Sequence, residues 1–91
     1  MTMTEILDPR RKRLHYRSWH RGCRETDLIL GAFCDEYLAD MDDAQLDTFE
    51  DFLEEDDKLI WYWIIEQEAP ERADFTPIVE RLRHFRDYSP A

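Results

Sequence analysis

Apolar residues recur at intervals of three and four along most of this chain, the spacing that lines one face of an α-helix. Leu28, Ile29, Phe33, Tyr37 and Met41 make the clearest stripe, widened by Ala32 and Leu38. Leu46, Phe49, Phe52 and Leu53 make a second, with acids on the opposite face, and Ile78, Val79, Leu82 and Phe85 a third. Start and stop residues frame these stripes. Asp8-Pro9 offers a capping carboxylate and a first-turn proline, predicting a helix that runs to about Arg21 and stops at Gly22. A second helix is predicted from about Arg24 to Ala39; Gly31 inside it costs up to about 1 kcal/mol relative to Ala, and so either weakens the helix or marks close packing. Asp42 or Asp43 opens a third helix, Asp56 or Asp57 a fourth, and Thr76-Pro77 or Asp74 a fifth.

The fourth element is ambiguous by pattern. Leu59-Ile60-Trp61-Tyr62-Trp63-Ile64-Ile65 is an unbroken apolar run rich in aromatic and β-branched residues, as a buried strand would be. No second convincing strand exists to pair with it, and a lone strand leaves its backbone groups unsatisfied. A helix buried on most sides is therefore expected. The fold class is all-α: a small five-helix bundle forming one domain over residues 9–91, preceded by a flexible N-terminus over residues 1–8.

Composition supports one domain and restricts the setting. The chain has 91 residues, with 43% apolar and 13% aromatic, too many for a disordered acidic chain. Two glycines and four prolines are too few for the frequent turns of an all-β fold. The longest apolar run falls far short of the roughly 20 residues that span a bilayer, so no membrane insertion is expected. The first residues lack the apolar stretch of a secretory signal, and Glu5 and Asp8 do not suit a transit peptide. With Cys23 and Cys34 alone, no disulfide framework is implied. The expected setting is a soluble, reducing compartment, most simply a bacterial cytoplasm.

The net charge of −10 conceals an asymmetry. Residues 1–25 carry seven bases against three acids, residues 26–71 carry sixteen acids against Lys58, and residues 72–91 come to +1. The basic segment, with Tyr16 and Trp19 among its arginines, has the composition of a nucleic-acid-binding stretch. The acidic body would repel a polyanion, so nucleic acid is not the expected partner. The alternative function is a small nucleic-acid-binding or acidic protein-interaction module that uses this basic N-terminal helix.

Catalytic and metal chemistry finds little footing. Cys23, Cys34, His15, His20 and His84 show no metal-ligand spacing. Glu54-Glu55-Asp56-Asp57 is dense in carboxylates, but consecutive residues point around a helix end rather than converging on a cleft. That run reads as a solvated acidic turn. There is no nucleophile elbow and no glycine-rich phosphate loop. An enzyme is not expected, and no metal or stably bound cofactor is implied.

The most informative stretch is Arg21-Gly22-Cys23-Arg24-Glu25. As physics it is an interhelical corner: a cation where one helix ends, an anion where the next begins, and a glycine that permits a sharp turn. Its flanks extend the pattern, with Tyr16-Arg17-Ser18-Trp19-His20 before it and Asp27-Leu28-Ile29-Leu30-Gly31 after it. Phe49 with Leu53, then Asp56-Asp57, then Trp61 and Trp63-Ile64 complete an ordered set. This set, over about residues 10–88, resembles the succinate dehydrogenase assembly factor family, whose hallmark R-G-x-x-E is matched by Arg21, Gly22 and Glu25. Thr26, where relatives carry an aliphatic residue, Cys23 at a variable position, and Glu66, near where relatives end helix four on a small residue, depart from the pattern.

The resemblance implies an assembly chaperone, not an oxidoreductase. Such proteins bind the flavoprotein subunit of succinate dehydrogenase, and in bacteria that of fumarate reductase, and promote covalent attachment of FAD to a client histidine. FAD would belong to the client. Arg21, Gly22 and Glu25 would form the client-binding surface, with Glu25 either contacting a client donor or locking Arg21 in place and with Arg24 and Asp27 as further contacts, and the protein would act as a monomer. Trp63 is expected in the core rather than at the interface.

Overall fold

The computed structural model describes residues 7–86. Among the described residues five α-helices follow one another: α1 (Pro9–Trp19), α2 (Arg24–Tyr37), α3 (Asp43–Leu53), α4 (Asp57–Ile64) and α5 (Thr76–Arg83). Short 3-10 turns at Leu38–Asp40 and Ala73–Phe75 extend α2 and lead into α5, and no strand occurs among the described residues. The apolar run at 59–65 is thus helical over most of its length. Residues 1–6, most of the expected flexible lead-in, lie outside the described residues; Leu7 is buried in the core and Asp8 caps α1.

Three of the helices start as acids direct. Asp8 accepts from the Arg11 N–H at 2.8 Å, and Pro9 sits where no donor is needed. Asp42 and Gln45 form a reciprocal capping box at α3. Asp56 accepts from the Lys58 N–H at 3.1 Å at α4.

The helices end differently. With two glycines in the chain, most C-termini lack the left-handed glycine that usually closes a helix. Arginines from other elements take over. Arg11 of α1 donates to the carbonyls of Leu38 and Met41, beyond the end of α2. Arg21 donates to Leu53 and Glu55 at the end of α3, and Arg83 of α5 reaches the Trp63 carbonyl through Nε at 3.1 Å and Nη2 at 2.9 Å. Each places a cation where the helix dipole is negative and joins two elements distant in sequence. After α4 the chain turns at Glu66, whose φ of +64° is unusual for a residue with a side chain. It lies near where the resemblance implies a small residue at the end of the fourth helix.

The core is one continuous cluster. Phe33, Phe49, Phe52, Phe75, Leu30, Leu38, Leu46, Ile60, Ile64 and Leu82 are essentially inaccessible. Trp63 packs with Phe52 and Phe75 in this core, as expected. The basic α1 lies along the acidic α3: Arg10 pairs with Asp47 at 2.6 Å and Glu50 at 3.0 Å, and Arg17 with Glu54 at 2.7 Å. Pairs this exposed add little stability each and chiefly set how the helices align.

Buried among the helices, Cys34 donates to the Ser18 hydroxyl at 3.2 Å, which donates to the Leu14 carbonyl at 2.8 Å. Burial, slightly offset by the Ser18 contact, pushes the Cys34 thiol up to about 12 from an ordinary 9.0. The folded state thus keeps its proton where the unfolded chain releases it. The resulting stability is intact below pH 9 and falls between pH 9 and about 12, by at most about 1.4 kcal/mol per pH unit. A disulfide reagent at pH 8 should modify the half-buried Cys23 in the native protein and Cys34 only after denaturation. Equal rates for both in the native state would refute the sealed position.

Candidate functional site

The α1–α2 corner is built by three residues that leave the helical conformation in sequence. His20, at φ −131° and ψ 43°, ends α1 after Trp19, two residues earlier than expected. Gly22 follows at φ +96°, and Cys23 is extended before α2 begins at Arg24. The early end has a cause. Outside the helix, the Arg21 N–H meets the Asp27 carboxylate at 2.9 Å and its side chain can turn toward α3 and α4. Gly22 is exposed, and a Cβ placed on it would meet nothing within 4 Å. Glycine is required here for its backbone angle and not for lack of room. The result is a bare stretch of main chain facing open space.

Arg21 points the other way. Its side chain is 11% exposed, and Nε pairs with Asp57 at the first position of α4. Nη1 donates to the Leu53 carbonyl at 2.6 Å and Nη2 to the Glu55 carbonyl at 2.5 Å. A planar fork is suited to holding three acceptors in one plane. The first residue of the motif therefore fastens the corner to the α3–α4 turn. A hydrogen bond from this side chain to a partner would require these contacts to open.

The remaining motif residues divide between structure and surface. Asp27 closes the corner through the Arg21 N–H. Thr26 is fully buried, with its hydroxyl donating to the Cys23 carbonyl at 3.1 Å, which accounts for a polar residue where an aliphatic one was expected. Glu25 is exposed; its carboxylate accepts from the Cys23 thiol at 3.4 Å and does not hold Arg21. Arg24 is also exposed. Gly22, Arg24 and Glu25 are thus the motif residues that face outward together.

Sequence reasoning missed Asp57 as the anchor of Arg21, because four consecutive acids gave no reason to choose one. The expected solvated turn is in fact engaged: Glu54 pairs with Arg17, Asp56 caps α4, and Asp57 holds Arg21. Sequence reasoning named Tyr16 and His20 without pairing them; their rings stack at 4.2 Å on the outer side of α1. Their i, i+4 spacing was the available signal.

A groove of about 530 Å³ lies at the far end of α2, floored by Phe33, Met41 and Ile78 and edged by Asp40, Asp42 and Asp74. The 14 residues of α2 put it roughly 20 Å from the corner. Arg81, stacked over the Tyr37 ring at 4.6 Å, also lines it, so its rim carries both signs of charge.

A family model described as "Flavinator of succinate dehydrogenase" matches residues 12–86. Curated relatives include proteins named succinate dehydrogenase assembly factor 2, mitochondrial. The one from Kluyveromyces lactis is 40% identical over 80 residues, covering 88% of this chain and 46% of the relative. The one from Yarrowia lipolytica is 36% identical over 87 residues, covering 91% and 60%, and that from Aspergillus terreus 47% over 70 residues, covering 74% and 23%. The chain spans less than two thirds of the length of these relatives. No solved structure matches. The expected bacterial cytoplasm is overturned by these relatives, which are named as mitochondrial proteins and come from fungi.

Proposed function

The chain belongs to the family of flavinators of succinate dehydrogenase, and from that premise we propose that it is an assembly factor that binds the flavoprotein subunit of succinate dehydrogenase and promotes covalent attachment of FAD there. The observation that carries the proposal is the corner: an exposed glycine backbone with a positive φ, held rigid from beneath by Arg21 and flanked by Arg24 and Glu25. A fixed surface loses little entropy on docking.

The mechanism is one of positioning. By docking at its corner, the protein holds the client's segments so that flavin and acceptor histidine meet in reactive geometry, turning a slow self-catalysed step into a faster one. Bond making belongs to client and cofactor. In this reading FAD belongs to the client. Gly22 supplies the close approach, Glu25 and Arg24 the charged contacts, while Arg21 and Asp27 shape the corner they stand in. The flavoprotein subunit of fumarate reductase as a second client, and action as a monomer, belong to the same proposal.

Gly22→Arg tests it. The variant should keep its helical circular dichroism, because nothing lies within 4 Å of the new Cβ and the backbone strain at this positive φ costs about 1–3 kcal/mol. Covalent flavin in the client, read as in-gel fluorescence, should fall steeply in cells carrying only this variant. Unchanged fluorescence would sink the corner as the docking site.

A further inference from the structure

The seven bases of residues 1–25 fall into two groups in space. Arg10, Arg11, Arg17 and Arg21 all turn inward, to carboxylates of α3, α4 and the α1 cap or to helix-end carbonyls. Lys12, Arg13 and Arg24 are exposed, and none lies within ion-pair distance of a carboxylate among the described residues. At about 100° per residue, positions 12, 13 and 16 fall within an arc of about 100° on α1, and His20, which ends the helix, joins them by stacking on Tyr16. That arc is opposite Leu14 and Ser18, which are buried. It holds Lys12, Arg13 and Tyr16 and, through His20, ends at the corner.

Tyr16 is the one large apolar side chain well exposed among the described residues, at 65%. His20 covers one face of its ring, at 4.2 Å between centroids and 32° between planes. The other face and the hydroxyl are left to solvent. A tyrosine restrained in this way presents a large contact at small entropic cost, as interface anchors do.

We propose that Lys12, Arg13, Tyr16 and His20 form a basic–aromatic docking strip that continues the corner along α1 and seats Tyr16 in a recess on an acidic face of the flavoprotein subunit. This rests on the reading that the corner docks on that subunit. Continuity with Gly22 and Arg24 makes the strip and the corner one surface, and its bases, without an ion pair among the described residues, call for carboxylates opposite. A polyanion is the poorer complement, because residues 26–71 carry sixteen acids against Lys58 alone.

The test is the dissociation constant of the purified full chain with the FAD-free flavoprotein subunit, at low and high salt. Tyr16→Ala should weaken binding at least about tenfold, while Tyr16→Phe keeps the ring and stays within about threefold of wild type. The Lys12→Glu/Arg13→Glu pair should weaken binding and remove part of its salt dependence. All these positions are exposed, so melting temperatures should stay near wild type. If Gly22→Arg loses binding while Tyr16→Ala and the double variant bind as wild type, the strip is refuted and the corner stands. If Gly22→Arg also binds as wild type, the corner reading fails and takes the strip with it. Tighter retention of an RNA oligonucleotide than of the subunit would overturn both.

Discussion

Arg21→Ala should lower the unfolding free energy by about 3 kcal/mol, a drop of more than about 10 °C in melting temperature for a domain this size. The substitution strands the Leu53 and Glu55 carbonyls and leaves Asp57, 29% exposed, without its cation. Arg21→Lys should cost less, about 1–2 kcal/mol, because an ammonium keeps the charge but cannot span three acceptors in a plane. Asp57→Asn should cost a similar amount, and the Arg21→Ala/Asp57→Asn pair less than the sum of its members. Urea unfolding followed by circular dichroism reads all four. An Arg21→Ala protein as stable as wild type would show that this side chain is free to leave the α3–α4 turn. The distinction bears on function: a variant at Arg21 loosens the platform, whereas one at Gly22 blocks its face. The two defects should separate in melting temperature even where both lower flavin attachment.

Much of this platform could be read from the residues in order. The helical stripes led to α2, α3 and α5, and local chemistry marked where helices begin, since a capping acid acts within three residues of itself. Helix ends were another matter. Arg11, Arg21 and Arg83 close helices that lie 20 or more residues away, and no local pattern announces such a partner. The expectation that α1 reaches Arg21 failed for this reason: the residue leaves the helix to serve a distant turn. Charge behaved similarly. Segment totals showed that a basic helix and an acidic body exist, yet only the turn of α1 decides which bases are used internally and which face outward. The motif identified the corner, while the division of labour within it, with Arg21 inward and Gly22 outward, came from tertiary contacts.

Gly31→Ala should destabilise the fold by about 2 kcal/mol net, although alanine is the better helix former by about 1 kcal/mol. Gly31 is buried in the middle of α2, where the Trp19 indole lies flat against its backbone. A Cβ there would stand 2.1 Å from Trp19 Cε2 and 2.3 Å from Cδ2. Those are ring atoms near the end of α1, so relief requires the whole indole to swing or α1 to move off α2. Either displacement disturbs the corner, because Trp19 is the last residue of α1 and its ring nitrogen donates to His15 at 3.2 Å. Melting temperature should fall by about 8–16 °C, with a change in tryptophan emission in the native baseline. Trp19→Leu in the Gly31→Ala background should recover part of the loss, since a smaller side chain leaves room for the methyl group. An unchanged melting temperature for Gly31→Ala would mean that Trp19 has another comfortable position. The close contact would then not be what fixes α1 against α2.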